Sequence, residues 1–168
     1  MSETLNYNLN PKYQDLQQLR EKFNVDGLLR LDLGCGYYKP VGFVGIDNLC
    51  GESTQLKNVE NYPDILMDLN TFRIPFEDGS CIEIRSSHFL EHSNLDHIID
   101  ESFRLLKPQG KFNFTVPYAS SAEGMYPGHH IFLTERWFEE NINFQSKFKI
   151  TKISYKPSSY WQGLSLHL

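Results

Sequence analysis

Acidic residues and glycines stand where three short apolar runs of this chain end. Asp32-Leu33-Gly34-Cys35-Gly36 closes the first run, Asp47 ends the second and Asp68 ends the third. Glycines let the backbone approach a ligand with no Cβ in the way, and one carboxylate can accept both hydroxyls of a ribose. A single acid in such a place is commonly a solvated loop residue. Three of them at consecutive strand ends, in order, indicate a site for a nucleoside-like ligand.

Histidines form two clusters, His88 with His92 and His129 with His130. Imidazole titrates near neutral pH and is the side chain most often used as a general base. We therefore interpret His92, His130 and His88 as candidate catalytic residues. The alternatives are that His92 packs against or caps the helix that follows, and that His130 is a loop residue held by hydrogen bonds.

The elements that must position these residues follow from hydrophobic spacing. Helical periodicity predicts a helix after Pro11, a longer helix from Leu95 to Leu106 and a short helix starting at Thr134. Alternation over residues 149–155 predicts a late strand, and residues 164–168 form a further candidate. Strands with helices between them indicate an α/β fold with a mostly parallel sheet, flanking helices and an antiparallel C-terminal strand. The buried strands are predicted at residues 28–33, 43–46, 65–67, 81–87 and 111–116.

Length and charge restrict the class of protein. The 168 residues suit one domain, and a net charge of −5 without a Lys/Arg run disfavours a nucleic-acid partner. No apolar stretch is long enough for a membrane helix and the first ten residues are polar, so we predict a cytoplasmic protein. The three cysteines include no CxxC pair, which argues against structural zinc and a disulfide framework.

These segments together resemble the class I S-adenosylmethionine-dependent methyltransferases. The resemblance covers about residues 28–117, and residues 128–138 are similar to a later lid-and-helix segment of the superfamily. It implies one Rossmann-like domain over residues 1–168. Residues 31–36 resemble motif I, Gly45-Ile46-Asp47 resembles the acidic end of the second strand, and Asp68-Leu69 with residues 74–80 resembles the acidic end of the third strand and the loop after it. Residues 87–92 resemble the fourth-strand segment, and residues 104–112 resemble the helix end and turn before the fifth strand.

The same resemblance divides the chain and assigns its site. Residues 1–27 would be an N-terminal helical segment, residues 28–117 the cofactor-binding core, and residues 118–168 a lid, a short helix and the last strands. The cofactor would be S-adenosylmethionine, leaving as S-adenosylhomocysteine, and its carboxylate would meet Lys39 or a residue of the N-terminal helix. The implied cofactor-binding residues are Asp32, Gly34, Cys35 and Gly36 at the methionine part, Asp47 and Asn48 at the ribose, Asp68 and Leu69 at the adenine, and Ser87 and His88 at the sulfonium and acceptor side.

Two departures from the superfamily pattern concern the first strand connection. Motif I usually continues to a third glycine, but Tyr37 follows Gly36 here, and only residues 37–42 precede the second strand. A parallel crossover usually takes a dozen residues or more. Either this connection is unusually short, or the two strands are not joined in the ordinary way. The missing glycine and helix also disfavour NAD, whose pyrophosphate needs a helix N-terminus.

We predict methyl transfer to a small-molecule or sugar-type acceptor, with oxygen as the acceptor atom because the histidines can remove a proton. The alternatives are a non-catalytic S-adenosylmethionine-binding module and a nucleotide-dependent oxidoreductase. Some quinone O-methyltransferases of the superfamily hold a metal on an acidic–histidine segment like Glu91-His92. They carry an acid where this chain has His88, so we predict no metal. The protein would be a monomer or a homodimer.

Overall fold

Six strands form one mixed sheet in the computed structural model, which describes residues 6–49 and 63–155. Their order across the sheet is β1-β4-β3-β2-β5-β6. All neighbouring strands are parallel except β1 and β4, which pair antiparallel. The strands are β1 (Asn8–Leu9), β2 (Leu29–Leu33), β3 (Val44–Asp47), β4 (Ile65–Leu66), β5 (Cys81–Ser87) and β6 (Leu106–Thr115).

In the part of the chain that the structure describes, four α-helices and one 3-10 turn accompany the sheet. Helix α1 begins after Asp15, whose side chain accepts the N–H of Gln18 at 2.8 Å, as an N-cap residue does. Among the described residues, no helix has the length and apolar character of a membrane crossing. The helices are α1 (Leu16–Phe23), α2 (Leu95–Leu105), α3 (Glu135–Glu140) and α4 (Ile142–Lys147), and the 3-10 turn is Leu90–His92.

The core lies on both sides of the central strands. Leu31 and Leu33 of β2, Ile46 of β3 and Ile84 of β5 are fully buried, because β2 has a parallel neighbour on each side. Burial of one such side chain contributes about 1.5–3 kcal/mol. Helix α2 packs on this region through the apolar residues of one of its faces. This packing fixes the position of the strands and of their C-terminal ends. Those helix residues are Leu95, Ile98, Ile99 and Leu105.

The predicted class is confirmed, with two differences in detail. The antiparallel strand is β1 at the N-terminal end; residues 149–155 form no strand, and residues 164–168 lie outside the described part of the chain. The first helix starts at Leu16 and not after Pro11. Asn10 instead holds a turn, in which its side-chain oxygen accepts the N–H of Lys12 at 3.1 Å.

The connection between β2 and β3 is short and contains no helix. Two turns build it, closed by Tyr38 N–H to the Cys35 carbonyl and by Phe43 N–H to the Pro40 carbonyl. The strands are nevertheless parallel neighbours, with Leu31 opposite Val44. Lys39 runs inward from this connection, and its Nζ lies 4.9 Å from the ring centre of Phe23 in α1. The Lys39 stem and α1 therefore lie where a crossover helix would otherwise pack.

A buried carboxylate anchors this arrangement. Asp64, which precedes β4, is fully buried and forms an ion pair with Lys39. It also accepts hydrogen bonds from Tyr13 Oη at 2.8 Å and Gly45 N–H at 2.9 Å, and Lys12 Nζ lies 3.0 Å away. Burial pushes the pKa of Asp64 up, but these donors outweigh it and hold the pKa below its ordinary value.

Candidate functional site

The C-terminal ends of β2 and β3 present an open glycine next to a fixed carboxylate. Asp47 accepts the N–H of Gly36 at 2.7 Å through one oxygen and the N–H of Leu49 at 2.8 Å through the other. Each carboxylate oxygen keeps a further lone pair, and Asp47 is half-buried with Asn48 exposed beside it. Gly36 has φ +51°, and a Cβ there would meet no atom of residues 6–49 or 63–155 within 4 Å. This edge can receive a ligand that carries hydroxyl groups.

Gly34 is different from Gly36, because the side chain of Phe89 covers it. A Cβ on Gly34 would lie 2.2 Å from Cγ of Phe89. Phe89 follows β5 and packs against the core, so it closes the space above the first turn. Gly34 therefore serves close packing, and Gly36 is the glycine of the pair that faces open space.

Asp32, predicted to flank the cofactor's methionine part, is fully buried and pairs with Arg85. The guanidinium Nη1 of Arg85 donates to both carboxylate oxygens, at 2.8 and 2.7 Å. The two residues lie opposite each other on β2 and β5. Burial raises the pKa of Asp32 to about 6, and the Arg85 charge limits the rise. A carboxylate enclosed in this way supports the sheet, and its predicted place beside the methionine part of the cofactor stays a prediction.

A pH dependence follows from the raised pKa of Asp32. In the unfolded chain the pKa of Asp32 is near 4. The stability that the folded protein gains by holding this proton is therefore complete below pH 4 and is lost as pH rises through about 6. A rise from near 4 to about 6 corresponds to roughly 3 kcal/mol. We expect wild type to lose stability relative to Asp32→Asn between about pH 4 and about pH 6, as measured by urea unfolding of both proteins. A wild-type advantage that grows with pH would contradict this and indicate that the Arg85 pair dominates.

Of three further predicted cofactor residues, two turn their side chains inward and the third is partly exposed. Leu69 is only 3% exposed and belongs to the core, so it offers no surface to an adenine ring. Cys35 is also buried, and burial raises the pKa of its thiol well above the ordinary value. Asp68 is partly exposed, and its oxygens accept the N–H of Asn70 at 2.9 Å and the hydroxyl of Thr71 at 2.7 Å. Asp68 keeps lone pairs for an adenine amine, and the contact of Leu69 with the ring stays a prediction that its buried side chain does not support.

Lys39 does not face the ligand edge. Its side chain is 12% exposed and its ammonium pairs with the buried carboxylate of Asp64. A salt bridge on the inner side of the sheet leaves no exposed charge for a cofactor carboxylate. Of the two options that the sequence left open, only a residue of the N-terminal segment stays available.

A second feature of the site is a cleft of about 190 Å³ beyond the ends of β5 and β6. Ser87 ends β5, half-buried, and His88 follows with φ +54° and its N–H bonded to the Thr115 carbonyl at 2.9 Å. This bond and the unusual backbone angle turn the chain into the cleft. Its lining is His88, Glu91, His92, Pro117, Glu123, Tyr126 and His129.

Main-chain hydrogen bonds bring the two histidine clusters together. The Glu91 carbonyl, in the 3-10 turn, accepts the N–H of His130 at 2.9 Å and of Ile131 at 3.2 Å. The rings of His92 and His129 then lie 4.6 Å apart in an edge-to-face arrangement. The side chain of His130 is exposed and does not line the cleft, so its predicted catalytic role finds no support in its position. His129, its neighbour in the same cluster, occupies the place that we assigned to His130.

The segment with residues 118–133, predicted as part of a lid, is a series of turns. Ala119 N–H bonds to the Leu133 carbonyl at 3.0 Å, which closes the segment at its base. Gly124 N–H bonds to the Ser121 hydroxyl at 2.9 Å. The exposed ring of Tyr118 lies beside Tyr155, outside the cleft lining. Movement of this segment stays a prediction.

Glu91 is the least expected side chain of the cleft. It is 2% exposed, and neither carboxylate oxygen has a hydrogen-bond partner among the described residues. The Nδ1 of His88 lies 3.6 Å from one of the oxygens. Leaving a buried charge without compensation is costly, so Glu91 marks the cleft as a place where charge is needed. The sequence signal was its position between His88 and His92.

Comparison with known proteins gives a likeness of fold. The sequence matches no protein-family model and no curated protein. Among solved structures, the [4+2]-cyclase SpnF aligns with a TM-score of 0.51 and 23% identity over 79% of this chain, which spans 55% of the cyclase. A candidate methyltransferase of Haloferax volcanii, bound to the Trm112 methyltransferase activator, aligns with a TM-score of 0.51 and 18% identity over 83% of this chain and 72% of its own.

Both alignments cover about four fifths of this chain at low sequence identity. One of the two aligned structures is named for methyl transfer and the other for a cyclisation, so the likeness concerns architecture. The chain has the Rossmann-like fold of the class I S-adenosylmethionine-dependent methyltransferases.

Proposed function

We propose that this protein binds S-adenosylmethionine and transfers its methyl group to a small molecule held in the cleft beyond β5 and β6. The observation that carries the proposal is the open space at Gly36 beside the fixed carboxylate of Asp47. Two hydroxyls on one ribose match the remaining lone pairs of that carboxylate. The residues present therefore fit the nucleoside part of this cofactor.

The cofactor, when bound, supplies a methyl group that a sulfonium already activates. The protein must then hold the acceptor in line and exclude water, and positioning of this kind can contribute about 7–11 kcal/mol. Gly36 admits the ligand because it has no side chain, and Asp47 fixes the ribose. Phe89 covers the turn at Gly34 and keeps solvent from the region between the two parts of the site.

Proton removal falls to the histidines of the cleft if the acceptor is a hydroxyl. A positioned base accelerates such a step by about 10²–10⁴-fold. His88 is exposed at the cleft, with its Nδ1 3.6 Å from an oxygen of Glu91. The carboxylate can orient the imidazole and stabilise the cation that forms when His88 accepts the proton. These contacts support O-methylation as the reaction type.

The small volume of the cleft favours a small-molecule acceptor over a protein side chain on a large partner. The net charge of −5 disfavours nucleic acid. A cytoplasmic location and a monomeric or homodimeric state remain part of the proposal. A non-catalytic module that binds the same cofactor is the second candidate, because a cyclase shares the fold and the fold alone does not assign methyl transfer.

Calorimetric and thermal titration with S-adenosylhomocysteine tests the proposal. At 100 times its dissociation constant a ligand stabilises by about 2.7 kcal/mol, which for this size raises the melting temperature by roughly 5–10 °C. We expect this shift in wild type and not in Asp47→Ala, because the ribose loses its acceptor.

The matched control for Asp47→Ala is Asp96→Ala, which removes an exposed acid from the first turn of α2, away from the glycine turn, and should keep the shift. NAD should give none. If folded wild type shows no response to millimolar S-adenosylhomocysteine, the proposal fails. Binding without product from any acceptor in a labelled-methyl screen would favour the non-catalytic module.

A further inference from the structure

We propose that Glu91, His92 and His129 form a binding site for a divalent transition-metal ion of the zinc type. One ligand atom from each residue lies within 4.8 Å of the others. All three side chains line the cleft. Binding of the ion does not depend on methyl transfer; only the role given to it below rests on the proposed function.

The buried carboxylate of Glu91 is the first observation that points to a cation. Its side chain is 2% exposed and lines the cleft, yet neither oxygen has a hydrogen-bond partner in the described part of the chain, and Nδ1 of the exposed His88 comes only to 3.6 Å from one of them. Buried charges in proteins are paired or coordinate metals. The main chain of Glu91 is fixed on both sides, by the 3-10 turn and by the bonds from His130 and Ile131, so the carboxylate cannot easily leave this position.

The hydrogen bonds of the two imidazoles are the second observation. Nδ1 of His92 lies 2.9 Å from the Gly128 carbonyl, and Nδ1 of His129 lies 3.2 Å from the Gly124 carbonyl. A carbonyl oxygen only accepts, so each ring donates through Nδ1–H and keeps the lone pair of Nε2. Metal-ligating histidines commonly donate their second nitrogen to such a carbonyl. Both imidazoles are thus in the tautomer that can bind a metal.

The separation of the ligand atoms describes a site that closes on its ion. Ligands about 2.1 Å from a tetrahedral ion are about 3.4 Å apart. The ligand atoms lie within 4.8 Å of one another, and any closure to the shorter distance takes side-chain rotation of His92 and His129, which are more exposed than Glu91. The buried Glu91 stays in place while the two rings move toward it.

The chemistry of the ligands selects the type of ion. Two imidazole nitrogens and one carboxylate oxygen form a set typical of zinc with one position left open, and suit iron(II) as well. Magnesium prefers oxygen ligands and retained water, so it should bind weakly. The open position faces the cleft, where an acceptor oxygen can occupy it.

The ion would act on the acceptor in the proposed reaction. An acceptor hydroxyl bound to it becomes more acidic, and its proton passes to His88, which is not among the ligands. The oxygen then forms its bond to the methyl carbon as the bond from carbon to sulfur breaks, with the electron pair remaining on sulfur. The products are the methyl ether, S-adenosylhomocysteine and protonated His88.

Metal titration of the chelator-treated full chain tests the site without any cofactor. We expect Zn²⁺ to bind with one-to-one stoichiometry in calorimetry, and Co²⁺ to give the visible absorption of a low-coordinate nitrogen–oxygen site. Glu91→Gln and His129→Ala should weaken binding by about 100-fold or more, since loss of even a supporting contact can cost that much. His130→Ala is the matched control, because that side chain is exposed outside the cleft, and it should bind normally.

Thermal unfolding keeps the test decisive if a variant is unstable. Without metal, Glu91→Gln should melt at or above wild type because a buried charge is removed. Zn²⁺ should then raise the melting temperature of wild type and of His130→Ala, but not that of Glu91→Gln. Failure of folded wild type to bind Zn²⁺, or equal binding by all variants, would overturn the site. A protein that binds Zn²⁺ but not S-adenosylhomocysteine would keep the site and lose the proposed function.

Discussion

Asp64→Asn is expected to lower the free energy of unfolding by about 3–5 kcal/mol, the range found when one partner of a buried ion pair is removed. Asp64 is fully buried and its carboxylate faces Lys39, whose side chain is 12% exposed. Asparagine keeps the size and one acceptor for the Gly45 N–H, so the loss comes mainly from an ammonium left without its counter-charge. For a chain of this length the melting temperature should fall by roughly 10 °C.

Two companion variants separate this effect from a general loss of charge. Asp78 also pairs with two cations, Arg73 and Arg104, but its side chain is 70% exposed. We expect Asp78→Asn to leave the unfolding free energy nearly unchanged, because water screens exposed pairs. The double variant Asp64→Asn/Lys39→Met should recover much of the lost stability, because it removes the uncompensated ammonium. If it is as unstable as the sum of its parts, the ion pair is not the source of the loss.

The pH dependence of the Asp64 effect has a definite sign. The pKa of Asp64 lies below its ordinary value because its donors outweigh the effect of burial. The contribution of the Asp64 carboxylate to the free energy of unfolding is therefore complete above pH 4, near its pKa in the unfolded chain. It is lost as pH falls through the pKa of Asp64 in the folded protein. The stability gap between wild type and Asp64→Asn should narrow in acid and stay constant near neutral pH, as followed by denaturant unfolding across that range.

The sequence predicts well where the parallel strands end, because strand termination is a local property. Glycines and acids that end apolar runs identify the C-terminal ends of β2, β3 and β4, and the Cys81–Ser87 strand has the predicted bounds. Asp47 and Gly36 lie together at this edge. The histidine clusters also converge, since loops at one edge of a parallel sheet share the same side.

Contacts between distant residues are what the sequence does not reveal. Nothing near Asp32 in the sequence shows that Arg85, 53 positions later, lies opposite it on the neighbouring strand. The choice between His129 and His130 depends on the bonds of their main chain to Glu91. The short connection between β2 and β3 contains Lys39, whose ion pair with Asp64 joins positions 25 residues apart. Local patterns carry no information about such pairs.

Gly34→Ala is the other change with a large expected effect, a loss of about 3–4 kcal/mol of unfolding free energy. A left-handed backbone at φ +67° costs an L-residue about 1–2 kcal/mol. The new methyl would also lie 2.2 Å from Cγ and 2.4 Å from Cβ of Phe89. Rotating the ring cannot relieve the contact with Cβ, so the backbone must shift, and overpacking of this kind costs about 1–3 kcal/mol.

A double-mutant cycle with Phe89→Gly isolates the packing part of the Gly34 effect, because glycine removes both the ring and Cβ. In that background Gly34→Ala should cost only the backbone strain, about 1–2 kcal/mol. Gly36→Ala is the matched control: it has φ +51° but no atom within 4 Å of the new Cβ, so it too should cost about 1–2 kcal/mol. Because Gly36 faces the proposed cofactor, its variant should lose S-adenosylhomocysteine binding while staying folded. Equal stability losses in Gly34→Ala and Gly36→Ala, measured by urea unfolding, would show that Phe89 does not pack on the turn as described, and that the turn is open at both glycines.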